Sequence, residues 1–246
     1  MSSSGKSALY HTLMGSSSNK ATTSFIMKGG ARASLTNLFT ILNERKVFLV
    51  KVLACLIVQL GITYYTMMNT TMTVDAKKYF ALSMMLILVI LVLALVPMSM
   101  PVKLLVFSGF SYLMGLLLSS IKKERDPKAI ELAISSALGI FGAMFAVALI
   151  MSAFNVKIPA KMGLILLFAL FALIIARLVT TITDTYSANN KALSFFGIML
   201  FAIYVVYDTM VILSRDIYKG DFVTASMDYY LDIINLFVNR MSLSDN

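Results

Sequence analysis

The feature that most constrains this chain is a series of apolar stretches, each about as long as a lipid bilayer is thick. A helix needs about 20 mainly apolar residues to cross the hydrocarbon core, and such stretches recur along the chain with brief polar connections between them. The predicted spans are Val47–Met67, Tyr79–Val96, Val102–Ile121, Ile130–Ala153, Met162–Val179, Leu193–Leu213 and Phe222–Val238. The sequence therefore predicts an all-α membrane protein with seven transmembrane helices. The seventh stretch is short and contains two aspartates, so it either spans or enters the membrane and returns.

The overall composition indicates the same class of protein. Hydrophobic residues make up 59% of the 246 residues and charged residues only 13%, against roughly a quarter in an ordinary soluble domain. A soluble domain of this size would lack the polar residues needed to cover its surface. The net charge of +9 does not indicate nucleic acid as a partner, because the basic residues are scattered over loops and flank apolar spans, as in proteins that face lipid.

Residues 1–45 differ from the rest because they are rich in Ser, Thr, Gly and Lys and show no hydrophobic period. This composition predicts a flexible polar tail before a transmembrane domain of residues 46–240, with a short C-terminal tail at residues 241–246. The basic residues before the first span favour a cytosolic N-terminus by the positive-inside rule. The basic third loop, KKERDPK, argues for the opposite orientation, but the flank of the first helix usually dominates.

Cysteine and histidine usage excludes several kinds of site. Cys55 is the only cysteine and His11 the only histidine. One chain therefore cannot form an internal disulfide, a His-based metal site or a Ser-His-Asp triad. No resident cofactor is predicted, and no enzymatic activity.

Two carboxylates lie inside otherwise apolar stretches, and they are the main candidates for function. Asp208 stands in IYVVYDTMVIL and Asp232 in YYLDIINLF, with Gly220 at their midpoint inside the only turn-like segment between them. Two antiparallel helices joined there would hold both acids roughly 12 to 15 Å from the turn. Because an ionisable side chain at membrane depth is costly, such residues are functional candidates by default.

A carboxyl pair in an apolar region would act as a proton switch. Asp208 and Asp232 could not comfortably both ionise there, so one is expected to hold a proton and share a hydrogen bond with the other. When both are deprotonated they would repel, admit water and offer oxygen ligands to a transient calcium ion. The alternative is a purely structural pair, satisfied by hydroxyl groups of neighbouring tyrosines: Tyr204, Tyr207, Tyr229 and Tyr230.

Four further residues are candidates for a role beside this pair. Asp228 lies one turn before Asp232 on the same helix face, where it either extends an acidic ion path or marks water near the membrane surface. Asp221 falls in the predicted loop and is a second candidate for that path, or an ordinary solvated acid. Tyr207 is a supporting residue beside Asp208. Asn235 is expected to form a hydrogen bond between helices.

The two acidic segments resemble a known family signature. IYVVYDTMVIL, a short polar loop and DFVTASMDYYLDIINLF are similar to the C-terminal signature of the transmembrane Bax inhibitor motif family. The Tyr-Asp-Thr pattern followed at this interval by Tyr-Leu-Asp-Ile-Ile-Asn-Leu-Phe is specific, and it covers about 45 residues.

The resemblance implies a fold and a function. The implied fold has seven helices, with the last packed centrally among the other six. The implied function is a pH-sensitive calcium leak from intracellular stores, gated by an aspartate pair at Asp208 and Asp232, together with suppression of apoptosis. The implied location is a eukaryotic endomembrane, either the endoplasmic reticulum or the Golgi, with the plasma membrane also open. Its partners would be the bilayer, calcium, protons and cell-death regulators in the membrane.

The chain departs from the family pattern at two positions. The resemblance leads one to expect an arginine in the second span that pairs with an aspartate in the closed state, but Tyr79–Val96 contains no cation. The nearest basic residues, Lys103 and Arg177, do not match that position. Asp228 is an extra acid where a neutral residue is commoner.

Three other functions remain as alternatives. A proton/calcium exchanger would use the same carboxylates with alternating access. An intramembrane aspartyl protease also places two aspartates on neighbouring helices, but its Gly-x-Gly-Asp motif has no counterpart before Asp232, which YYL precedes. A non-conducting protein could restrain cell death through partners in the membrane.

Overall fold

The computed structural model describes residues 4–70, 76–123, 125–159, 161–182, 186–214 and 217–244, and all regular structure in these ranges is helical. The helices are α1 (Ser4–Asn69), α2 (Ala76–Leu95), α3 (Met100–Lys123), α4 (Pro127–Ala153), α5 (Met162–Ile182), α6 (Tyr186–Ser214) and α7 (Phe222–Leu243).

Five of the described helical segments are long and apolar enough to cross a membrane: Ser34–Asn69, Met100–Ser120, Pro127–Ala153, Met162–Thr180 and Asn190–Ser214. The prediction of an all-helical membrane protein is confirmed. The described part of α2 contributes a shorter apolar run, Ala81–Leu93. Helix α7 is long enough at 22 residues but contains charged side chains. Seven complete crossings therefore stay a prediction.

The two ends of the predicted transmembrane domain do not coincide with breaks in helices. Helix α1 begins at Ser4 and continues through residue 45, where the sequence predicts the end of a flexible tail. Helix α7 continues to Leu243, past the predicted end of the domain at residue 240. Residues 1–3, 245 and 246 of the predicted tails lie outside the described residues.

Many large apolar side chains of α5 face outward. Phe168, Phe171, Ile175 and Leu178 are each more than half exposed. In water such a surface would be an aggregation hazard, whereas in a bilayer it contacts acyl chains without cost. The outer face of α5 is therefore the kind of surface expected for a helix that crosses lipid.

Helix α7 is the most enclosed part of the bundle, and it packs against α1, α3, α4 and α6. Two consecutive tyrosines attach it on different sides. The Tyr229 hydroxyl donates to Thr209 Oγ1 of α6 at 2.8 Å, and the Tyr230 hydroxyl lies 2.6 Å from Thr63 Oγ1 of α1. Because neighbouring residues point about 100° apart on a helix, one pair of side chains joins α7 to two different neighbours.

Several buried polar side chains of α1 and α3 surround the hydrogen bond between Tyr230 and Thr63. Thr63 Oγ1 also donates to the Ser111 carbonyl oxygen at 2.9 Å, and Ser111 Oγ donates to Gln59 Oε1 at 2.8 Å. The rings of Phe107 and Tyr230 meet edge to face, with centroids 5.4 Å apart. The hydrocarbon core of a bilayer contains no water that could replace these hydrogen bonds. They therefore stabilise the packing of α1, α3 and α7 against one another.

The chain reverses direction between α6 and α7 in a tight turn. Lys219 and Gly220 both have positive φ, at 47° and 83°, and the Asp221 N–H closes the turn on the Tyr218 carbonyl oxygen at 2.8 Å. Glycine adopts this backbone region without steric cost. The turn therefore lies where the sequence predicts it.

Helices α1 and α3 approach each other closely at Gly115, and this yields a stability prediction. A Cβ atom at Gly115 would lie 2.6 Å from Cβ of Thr66 and 2.8 Å from the Thr63 carbonyl oxygen, whereas a Cβ at Gly109 of the same helix would meet nothing within 4 Å. We expect Gly115→Ala to lower the free energy of unfolding by about 1–3 kcal/mol, as overpacking does. Thermal unfolding in detergent micelles measures the effect.

Gly109→Ala is the matched control, because alanine favours a helix over glycine by about 1 kcal/mol or less. It should leave the unfolding midpoint unchanged or raise it. Equal midpoints for the two variants would contradict the close approach of α1 and α3.

Candidate functional site

A cavity of about 380 Å³ lies among α5, α6, α7 and the turn that joins the last two helices. Its wall includes the carboxyl groups of Asp208, Asp228 and Asp232 and the side chain of Asn235. Tyr204, Tyr207 and Tyr218 contribute aromatic surface. Most of the remaining wall is apolar, so the acids stand in a surrounding that solvates charge poorly.

Asp208 on α6 and Asp232 on α7 lie together in this wall. Their side chains are within hydrogen-bonding reach of each other, and they are only 8% and 4% exposed. Within the described residues, Oδ2 of Asp232 is buried without a hydrogen-bond partner. A buried acceptor without a donor is costly, so this oxygen needs a donor from the cavity side: a proton on the pair, a water molecule or a cation.

The tyrosines near Asp208 and Asp232 either form hydrogen bonds with other residues or line the cavity wall. The hydroxyls of Tyr229 and Tyr230 are directed to Thr209 and Thr63. The Tyr207 hydroxyl packs against Gly163 of α5, where a Cβ would lie 2.5 Å from its oxygen. In the part of the chain that the structure describes, no hydroxyl donates to either aspartate, which does not favour tyrosines as the groups that satisfy the pair.

Asp228 and Asp221 occupy different surroundings. Asp228 lines the cavity one turn before Asp232 and accepts a hydrogen bond from the Tyr218 hydroxyl at 2.7 Å. Asp221 caps α7 instead, because its side chain accepts from the Thr224 N–H at 3.0 Å and from Lys103 Nζ at 2.5 Å. Asp221 is not among the residues that line the cavity.

The environment of Asp221 lowers its pKa. Burial by itself raises the pKa of this carboxyl, but hydrogen bonds from Lys103 and Thr224 outweigh burial and hold the pKa below the ordinary value of an aspartate. Asp221 therefore carries its charge at neutral pH as a helix cap and ion-pair partner.

Asn235 combines a helix contact with a place in the cavity wall. Its Nδ2 donates to the Leu231 carbonyl oxygen of the same helix at 2.7 Å, and its side chain faces the cavity with Asp232. The hydrogen bond that the structure gives it lies within α7 rather than between helices.

Neither basic residue noted in the sequence pairs with Asp208 or Asp232 among the described residues. Lys103 bonds Asp221, and Arg177 of α5 donates to Asn239 Oδ1 of α7 at 2.5 Å. Sequence reasoning missed the Arg177–Asn239 contact and the Tyr218–Asp228 contact. Asn239 follows Asp232 by seven residues and so shares its helix face, which was a signal available in the sequence.

The acids do not form a metal-binding cluster of the usual kind. Among the described residues, no group of three or more His, Cys, Asp or Glu side chains is arranged to hold a metal ion. Calcium takes six to eight oxygen ligands, so two adjacent carboxylates would bind it only together with water. The arrangement suits a transient cation contact and a shared proton.

Comparison with known proteins assigns the chain to a family. The family model described as inhibitor of apoptosis-promoting Bax1 matches residues 45–243. The chain belongs to this family. The resemblance seen in the sequence is thereby confirmed, and the matched range includes the described parts of α2 to α6, all of α7, and the apolar part of α1 from residue 45 onward.

Two relatives of this Bax inhibitor family member illustrate the match. Bax inhibitor 1 of Schizosaccharomyces pombe is 28% identical over 208 residues, which is 81% of this chain and 76% of the relative. An uncharacterized protein of Deinococcus radiodurans is 27% identical over 147 residues, which is 57% of this chain and 62% of the relative. The chain thus matches less than two thirds of the length of the bacterial relative.

The Asp221 cap of α7 leads to a prediction of how protein stability varies with pH. We expect Asp221→Asn to keep the cap, since asparagine caps as well as aspartate, but to lose the ion pair with Lys103 and about 1 kcal/mol or less of stability. The pKa of Asp221 is lower in the folded protein than in the unfolded chain. Asp221 therefore contributes its full stabilisation at pH values above its pKa in the unfolded chain, about 4. This contribution is lost as the pH falls through the pKa of Asp221 in the folded protein. The unfolding midpoints of variant and wild type should therefore differ at pH 7 and converge in acid.

Asp126→Asn is the matched control for this comparison. Asp126 caps α4 by accepting from the Lys128 N–H at 2.9 Å and is exposed, so the same substitution there removes a charge without removing a partly buried ion pair such as Lys103–Asp221. If the two variants had equal midpoints at pH 7, the contribution of the Lys103–Asp221 pair would be refuted.

Proposed function

We propose that this protein is a pH-sensitive leak for cations, chiefly calcium, across a eukaryotic endomembrane, and that Asp208 and Asp232 form its proton-sensitive gate. The observation that carries the proposal is a pair of buried carboxyl groups on consecutive helices, in the wall of one cavity, with an Asp232 oxygen that has no donor within the described residues.

The proposed gate works through charge. With one shared proton the two carboxyl groups attract each other and hold α6 against α7. With both groups ionised they repel each other in a medium of low dielectric constant, so water enters and carboxylate oxygens become available to a cation. Asp228 then adds negative charge between the turn and the pair, which would attract cations toward it.

The proposal includes an arrangement in the membrane. All seven helices cross, the last lies among the other six, and the N-terminus is cytosolic. The basic residues before the first span support that orientation,. The endoplasmic reticulum or the Golgi is the proposed location, and no enzymatic activity is invoked.

A proton/calcium exchanger is the second candidate, because protons and calcium would compete for the same carboxylates. The two functions differ in their energetics. A leak runs only down the calcium gradient, whereas an exchanger can be driven against it by a pH gradient. Calcium uptake into liposomes with an imposed pH gradient separates them.

The central prediction concerns calcium efflux from liposomes. Asparagine at both positions reproduces the charge of a fully protonated pair, so Asp208→Asn with Asp232→Asn should abolish the pH dependence. Its efflux at every pH between about 5 and 8, the range that perturbed carboxyl groups can enter, should equal that of wild type at the acidic end. A calcium-reporting dye outside the liposomes measures the rate.

Asp126→Asn is again the control, since it makes the same substitution at an exposed cap and should leave the wild-type pH profile intact. A double variant that kept the wild-type profile would eliminate the pair as the gate. A wild type that passed no calcium at any pH would eliminate the leak itself.

Suppression of cell death is the second part of the proposed function, and the names of the family and of the Schizosaccharomyces pombe relative support it. If ion passage underlies this effect, Asp208→Asn should reduce both calcium efflux and survival in cells challenged with a death stimulus. The non-conducting alternative predicts that survival is spared when efflux is lost. Measuring both in the same cell line distinguishes a leak from a protein that acts through partners.

A further inference from the structure

One face of α7 carries a line of polar side chains that extends beyond the aspartate pair. Asp228, Asp232, Asn235 and Asn239 are spaced four, three and four residues apart, which keeps them within about 60° around the helix and spreads them over about 16 Å. The cavity includes the first three of these residues but not Asn239. The line therefore has one end inside the cavity and one end beyond it.

The cavity extends to the turn between α6 and α7. Ile217 and Tyr218 belong to that turn and line the cavity, and Ile217 is 55% exposed. Asp228 is partly exposed beside them. A cation arriving at the turn would therefore meet Asp228 before the buried pair.

The other end of the line is filled by side chains from three helices. Arg177 of α5 donates to Asn239 Oδ1 at 2.5 Å and also reaches Ser194 Oγ of α6 at 3.4 Å. Asn239 in turn donates to the Asn235 carbonyl oxygen at 2.7 Å. Its side-chain amide lies so close to α6 that a Cβ at Gly197 would clash with it. Arg177 and Asn239 therefore lie next along the line beyond Asn235.

We propose that Arg177, anchored by Asn239 in the space left by Gly197, closes the far end of the aspartate cavity, so that the cavity is open to water only on the side of the α6–α7 turn. A guanidinium group keeps its charge at any physiological pH. Because Arg177 is partly buried, its charge is incompletely screened and repels cations that have passed the carboxylates. Arg177 is thus a positioning and selectivity residue that does not contact the acids.

This inference concerns the same cavity as the proposed function, and cation passage would require Arg177 to leave Asn239. The sidedness of water access can nevertheless be measured without calcium. An experiment that refutes the proposed leak can therefore be distinguished from one that refutes closure of the far end of the cavity by Arg177.

Cysteine labelling provides the test, because Cys55 is the only cysteine and is buried. In a Cys55→Ala background, Leu231→Cys places a thiol in the cavity wall. A membrane-impermeant, positively charged methanethiosulfonate reagent is then added to one side of oriented proteoliposomes at a time, and the labelling rate is followed by mass spectrometry.

Two exposed lysines provide the side markers. Lys157 follows Asn155, which contacts Asn37 of α1, and Phe48 of α1 contacts Tyr218, so Lys157→Cys marks the turn side. Lys128→Cys marks the far side, since Lys128 begins α4 and Lys157 lies just beyond its end. Both positions are exposed.

With Arg177 present, Leu231→Cys should be labelled from the turn side and at least about tenfold more slowly from the far side, as expected for one repelling charge. Arg177→Gln should remove most of this difference, and Arg177→Lys should preserve it because the charge remains. Equal labelling from both sides with Arg177 present would overturn the proposal even if the glutamine variant failed to fold. Unchanged sidedness in a folded Arg177→Gln protein would overturn it as well.

Discussion

The packing of the bundle is determined by the polar side chains of α7, which the other helices must separate from lipid. This helix carries aspartates, asparagines, serines and hydroxyl-bearing tyrosines, none of which the hydrocarbon of a bilayer can solvate. Thirteen of its described residues are buried, and α1, α3, α4 and α6 pack around it. The outward faces of helices such as α5 can then be apolar, because the polar side chains form their hydrogen bonds inside the bundle.

The two polar faces of α7 are satisfied in different ways. On the side of Tyr230, hydroxyl and amide groups of α1, α3 and α7 form short hydrogen bonds with one another. On the opposite side the groups are carboxyls that line a cavity, and an Asp232 oxygen is left without a donor in the described residues. The first face is suited to holding helices together, and the second to responding to protons and cations. Under the proposed function, the separation of the two faces would let one helix serve both purposes.

Much of the bundle could be predicted from local signals. The end of α4 at Ala153 and the starts of α5 at Met162 and of α7 at Phe222 coincide with the predicted spans, because changes in hydropathy, prolines and the Gly220 turn are all local. The course of α1 through residue 45 was not predicted, since a polar composition contains no helical period to read. The roles of Asp221 and Asp228 could not be separated from spacing, because Lys103 and Tyr218 reach them from other parts of the chain.

The sequence by itself determined that the chain is helical and membrane-bound, that two acids would lie at similar depths on consecutive helices, and that the chain resembles the Bax inhibitor family. These conclusions follow from hydropathy, from rise per residue and from a short motif, all of which are properties of adjacent residues. Only the tertiary structure decided which residues share a cavity, that Asp221 caps a helix outside the cavity wall, and that Arg177 lies against Asn239 where Gly197 leaves room. Contacts of this kind join residues far apart in the chain, and their geometry is set by how whole helices pack rather than by the order of residues within one of them.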